Sequence, residues 1–153
     1  MAYFEPTVVI YGSPRKLSTI TLRVPVQLLF IFNEASLEQL IRTNPKLDEP
    51  CLQRYFIALF DPLNENLLEQ VKSNHRVIAV YQQNQDPLLR QFTLNVTNDI
   101  VQFLTSEGEK QTQLERISLA KVYYQQARTL KEWAMSLFKV TNIRLILPYK
   151  FTF

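Results

Sequence analysis

Residues 111–139 run without glycine or proline and place apolar side chains at helical spacing. At about 1.5 Å per residue such a stretch makes a helix about 40 Å long. A 153-residue domain with a radius of gyration of about 15 Å is only about 30 Å across. The fold must therefore let this helix cross a whole sheet and protrude, or cover its exposed end with a second copy. At about 100° per residue, Leu119, Tyr123, Ala127, Leu130, Ala134 and Leu137 gather on one side, with Val122 and Trp133 at its margin. That side is the expected core face. Opposite it fall Lys110, Lys121, Arg128 and Lys131, with Tyr124 and Gln125 among or beside them.

Ahead of this helix the pattern is mixed. Thr7–Tyr11 and Ser18–Phe32 are rich in β-branched and aromatic residues, and Thr19, Thr21 and Arg23 alternate with Ile20, Leu22 and Val24, the period of a strand. Gly12–Leu17 between them has the composition of a hairpin loop. Ser36 with Gln39 has capping-box spacing and predicts a short helix there. Glu49-Pro50 and Asp61-Pro62 precede two further helical spacings, Leu52/Tyr55/Phe56/Leu59 and Leu63/Leu67/Val71. His75–Gln82 reads as a strand that turns at Asn84–Pro87 and returns through Phe92, Leu94 and Val96, a second hairpin. Residues 99–104 fit either a third strand or a helical start. Ser106–Glu109 reads as a loop, and Ile143–Phe153 closes the chain as a strand.

Composition excludes several classes of function. One histidine, His75, and one cysteine, Cys51, cannot supply a disulfide or a zinc cluster within the chain, nor a histidine metal site. A reduced, cytoplasmic setting is the expectation. The longest nearly apolar run, Val24–Phe32, is interrupted by Pro25 and Gln27 and falls far short of the ~20 residues of a membrane span. Met1–Pro6 has no basic start followed by an apolar stretch, so no secretion signal is expected. The only glycines, Gly12 and Gly108, leave little room for loops that wrap phosphates closely. Charge is uneven: residues 110–153 carry eight Lys/Arg against two Asp/Glu, whereas residues 33–109 carry six against eleven. Such asymmetry marks an anionic partner or opposite charges that meet within one fold.

The stretch Val8-Val9-Ile10-Tyr11-Gly12-Ser13-Pro14-Arg15-Lys16 bears on chemistry directly. It resembles the start of the flavodoxin-like NADPH-dependent FMN reductases, in which a first strand ends in a Gly-Ser-x-Arg-Lys loop that holds the FMN phosphate at a helix N-terminus. The resemblance covers about ten residues and implies a phosphate loop at Gly12–Lys16. After Lys16 the chain departs from that family, because Leu17–Val26 alternates as a strand does. The residues themselves therefore favour a basic hairpin turn.

The resulting expectation is one α+β domain over residues 1–153. Its antiparallel sheet is built from the N-terminal and central hairpins plus a C-terminal strand, packed with short middle helices and one long C-terminal helix. The expected function is that of a non-enzymatic adaptor or regulatory domain that needs no cofactor and no metal. It binds a protein partner through the long helix and an edge strand, with Lys121, Tyr124, Arg128, Lys131, Tyr149 and Phe151 as contact residues. A second copy, offering the acidic 33–73 segment to the same helix, would make a homodimer. Two other readings stand beside it: a nucleic-acid module using Lys121, Tyr124, Arg128 and Lys131, and a flavin or nucleotide enzyme using Gly12–Lys16.

Overall fold

In Val8–Tyr11 and Tyr55–Leu59 every side chain is apolar or aromatic, and a strand with no polar face must be covered on both sides. The computed structural model describes residues 3–18, 24–42, 51–82 and 89–140. It divides into two compact units, Met1–Leu89 and Arg90–Phe153.

The first unit is a four-stranded sheet with helices between its strands: β1 (Tyr3–Tyr11), α1 (Pro14–Leu17), β2 (Gln27–Ile31), α2 (Glu34–Arg42), β3 (Cys51–Leu59), α3 (Glu65–Ser73) and β4 (Val77–Gln82). The strand order is β2-β1-β3-β4 and every pairing is parallel, with Val9 opposite Leu29 and Ile57, and Ile57 opposite Val80. The expected antiparallel sheet is thereby overturned. Parallel neighbours cannot be joined by a tight hairpin and need a crossover connection: α1 lies between the neighbours β1 and β2, and α3 between the neighbours β3 and β4. Both predicted hairpins are absent: the turn after Tyr11 enters a helix, and the supposed returning strand at 92–96 is helical. The helix expected at 52–59 is the central strand β3.

One face of the sheet carries Val9, Tyr11, Ile31, Tyr55, Ile57 and Leu59, packed with Leu37 and Ile41 of α2 and Leu67 and Val71 of α3. The alternate residues Val8, Ile10, Phe56 and Ala58 are also fully buried. Burial of each large apolar side chain contributes about 1.5–3 kcal/mol. Helix starts are set by side-chain caps. Asn33 Oδ1 accepts the Ser36 N–H at 2.8 Å, so Asn33 rather than Ser36 opens α2. Asn64 Oδ1 accepts the Leu67 N–H at 2.8 Å and opens α3.

The second unit contains α4 (Leu89–Gln113) and α5 (Ile117–Val140). The single long helix expected over 111–139 is thus the end of α4, a turn, and α5. Residues 99–104 are helical, not a third strand, and the loop expected at Ser106–Glu109 is helix as well, since both lie inside α4. The break is a Schellman motif: the Arg116 N–H donates to the Gln111 carbonyl at 2.8 Å, the Glu115 N–H donates to the Thr112 carbonyl at 3.0 Å, and Glu115 has φ 59°. Glycine is the usual residue in that left-handed conformation. The turn was illegible because glutamate occupies it. Glu115→Gly is expected to stabilise the hairpin by about 0.5–1 kcal/mol, by relieving the Cβ clash and removing a negative charge from a helix C-terminus. A fall in the thermal midpoint would contradict this.

The core face read for the long helix is found on α5, where Tyr123, Ala127, Leu130 and Ala134 are buried, joined by Ala120. The two helices meet where Gly108 faces Tyr124. A Cβ built on Gly108 would lie 2.7 Å from Tyr124 Cε1.

Candidate functional site

The C-terminal edge of a parallel sheet is where ligands of doubly wound folds bind, and the Gly12–Lys16 loop sits there. Ser13 caps α1, its Oγ accepting the Lys16 N–H at 3.4 Å, with Pro14 in the first turn. The loop is therefore a strand-to-helix turn, as the FMN-reductase resemblance implied and the hairpin reading did not. The donors of Gly12, Ser13 and Lys16 are spent on the protein itself. The Gly12 N–H goes to the Ile31 carbonyl at 3.1 Å, and the Ser13 N–H goes to Asp61 Oδ2 at 2.6 Å. Lys16 Nζ lies 3.3 Å from Asp61 Oδ1 and also donates to the Phe60 carbonyl.

Asp61, just past the end of β3, thus stands where a phosphate would stand. Any anion entering the loop would have to displace it. The arrangement works as a clasp between the ends of β1 and β3, reinforced by the Phe60 N–H to Tyr11 carbonyl bond at 2.9 Å. Beside it Glu34 accepts from the Asn64 N–H at 3.2 Å and from Asn64 Nδ2 at 3.1 Å, tying the start of α2 to that of α3. Burial, then Glu34 and Asp61, pushes the Tyr11 phenol up.

The Ser13 N–H, and after it Lys16, hold the Asp61 carboxyl below its ordinary range, against an opposing contribution from burial. A depressed folded-state pKa means the clasp stabilises fully above the ordinary carboxylate value of about 4, and that this stabilisation is lost as pH falls through the lower folded value. Asp61→Asn should accordingly be less stable than wild type at pH 7, with the difference shrinking below about pH 4 as wild-type Asp61 protonates. Urea midpoints at pH 7 and pH 3 measure this. A difference independent of pH would contradict it.

The other candidate surface is on α5. Lys121 and Arg128 are exposed, and Arg128 Nε pairs with Glu132 Oε1 at 3.2 Å. Lys131 is half-buried, and the Tyr124 ring is half-buried against Gly108. The four expected contact residues of this helix therefore lie along one side of it, with Tyr124 turned toward α4. Tyr149 and Phe151 lie outside the described residues, as does the C-terminal strand expected to carry them. Sequence reasoning missed Ile117 and Met135, 50% and 48% exposed, which extend the same row in both directions. Their signal was spacing: Ile117, Lys121, Tyr124, Arg128, Lys131 and Met135 follow one another at alternating steps of four and three.

Among the described residues no group of three or more His, Cys, Asp or Glu side chains is placed to hold a metal ion, and no helix is long and apolar enough to cross a membrane. No protein-family model, curated protein or solved structure matches the chain.

Proposed function

We propose that this chain is a non-enzymatic protein-interaction module of the adaptor or regulatory kind, working in the cytoplasm, and that the side of α5 carrying Lys121, Tyr124, Arg128 and Lys131 is its contact surface. The observation that carries this reading is where apolar surface remains uncovered. Of the seven large apolar side chains exposed among the described residues, three belong to α5, and two of these, Ile117 and Met135, stand at the two ends of its basic row. A single exposed apolar residue is ordinary, but two at the spacing of a helix-docking row, with cations between them, support an interaction surface. The closed clasp at Gly12–Lys16 supports the same reading, since the Gly12 and Ser13 N–H groups and the Lys16 ammonium already have protein acceptors. A nucleic-acid role is weakened by Tyr124, whose ring rests on Gly108 instead of standing free to stack a base.

Ile117→Asp combined with Met135→Asp tests the reading, because both positions are half exposed and the fold should tolerate the change within about 0.5 kcal/mol per site. Tagged wild-type chain recovered from nuclease-treated native extract is expected to retain a protein partner, and the double variant to lose it while keeping its circular dichroism spectrum. Partners retained by the variant, or recovered only without nuclease, would contradict the proposal.

A further inference from the structure

The row on α5 has a composition that selects a partner. From Ile117 to Met135 it spans about 27 Å, five helical turns, at the repeat by which one helix seats on another. Its ends are apolar, its centre is basic, and at its middle the Tyr124 ring lies down on a glycine, so that the exposed Lys121 and Arg128 flank a low point one turn to either side. A helix laid along this row would cover Ile117 and Met135 with apolar side chains and meet Lys121 and Arg128 with acidic ones.

We propose, resting on the protein-interaction reading above, that the Ile117–Met135 row of α5 is the docking site for an acidic amphipathic helix of another protein. Charge complementarity names the occupant. A second copy does not supply it: antiparallel pairing of two α5 rows sets Lys121 against Lys131, parallel pairing sets Lys121 against Lys121, and the acidic helices α2 and α3 of a second copy already bury their apolar sides, Leu37, Ile41, Leu67 and Val71, against their own sheet. The partner helix carries apolar residues at its two ends and two or more Glu or Asp between them on the same side. Arg128 exchanges its i,i+4 bond to Glu132, an exposed pair of little strength, for the incoming carboxylate.

Two designed 21-residue helical peptides make the test, identical in their apolar end positions and carrying either Glu or Lys at the central docking positions. Their binding to the whole chain is followed by fluorescence anisotropy. The Glu peptide should bind at least about tenfold more tightly than the Lys peptide, and the preference should weaken severalfold between low and high salt. Lys121→Glu with Arg128→Glu should reverse the preference, and Ile117→Asp with Met135→Asp should weaken the Glu peptide about tenfold. Equal binding of the two peptides, binding of neither, or a 20-nucleotide single-stranded RNA that binds more tightly and displaces the Glu peptide would overturn the proposal. If the Asp double variant loses its protein partner from extract while the wild type shows no preference for Glu, the acidic-helix assignment fails and the interaction reading stands. If that variant keeps its partner, the interaction reading itself fails.

Discussion

Arg76→Ala is expected to cost the sheet unit about 3 kcal/mol, more than any other exchange of a polar side chain in it. Arg76 is 6% exposed, and its Nη2 donates to the carbonyls of Leu40 at 3.0 Å and Ile41 at 2.9 Å. Those carbonyls lie in the last turn of α2, where the helix dipole favours a cation. The guanidinium lies 5.6 Å from the Tyr55 ring centroid, and the Arg76 carbonyl accepts the Tyr55 N–H at 2.8 Å. Truncation leaves two carbonyls short of a charge-assisted donor, at about 1.5–3 kcal/mol for bonds to a charged group, and empties the space the side chain filled. Asn74 Nδ2 still reaches the Ile41 carbonyl at 2.9 Å, so α2 keeps one tie. Arg76→Lys should recover part of the loss, since one ammonium reaches one carbonyl less well than a planar fork reaches two. Urea unfolding followed by far-ultraviolet circular dichroism measures both. A loss under 1 kcal/mol for the alanine variant would show that the carbonyls find other donors.

Gly108→Ala is expected to destabilise the helical hairpin although alanine favours helices. In isolation the exchange gains about 1 kcal/mol of helix propensity. Here the new methyl would meet Tyr124 Cε1 at 2.7 Å, Cζ at 2.9 Å and Cδ1 at 3.0 Å, closer than carbon atoms approach, and the contact is with a ring that also packs at the helix interface. Overpacking of this kind costs about 1–3 kcal/mol, so the net change is a loss of up to about 2 kcal/mol. In a Tyr124→Ala background the clash is gone, and the sign should reverse to a gain of about 1 kcal/mol. Four thermal or urea unfolding curves complete the cycle. A gain from Gly108→Ala in both backgrounds would mean the ring moves aside freely.

What was legible in the sequence followed from how many faces each element buries. The α2 and α3 helices could be placed because each shows polar residues opposite its apolar ones, as Leu67 and Val71 do against Glu65 and Glu69. The core face of α5 was legible for the same reason. β3 was not, since its Tyr55–Leu59 half is apolar on both faces, and Leu52, Tyr55, Phe56 and Leu59 fall by chance at helical intervals. The start of α4 failed in the opposite way. Phe92, Leu94, Val96, Ile100 and Val101 are all buried along a helix covered over a wide arc, and their odd-even run imitates a strand. Once β3 was read as a helix and 92–96 as a strand, the parallel order could not emerge, and the Gly12–Lys16 loop was assigned to a hairpin.

The candidate sites divided along the same line. The basic residues of α5 could be named from periodicity alone, but the apolar ends Ile117 and Met135 looked unremarkable until their exposure was known. Asp61 read only as a residue before a proline. Its role as the anion of the β1 loop depends on two strands far apart in sequence lying side by side.

Site-specific photo-crosslinking tests the docking role of α5 most directly. A photoreactive amino acid placed at 117, 121, 128 or 135 is expected to yield the same partner adduct from each position in nuclease-treated extract, with none from Gln39 or Lys72, exposed positions on α2 and α3. Adducts from the α2 and α3 positions with none from the α5 row would contradict it.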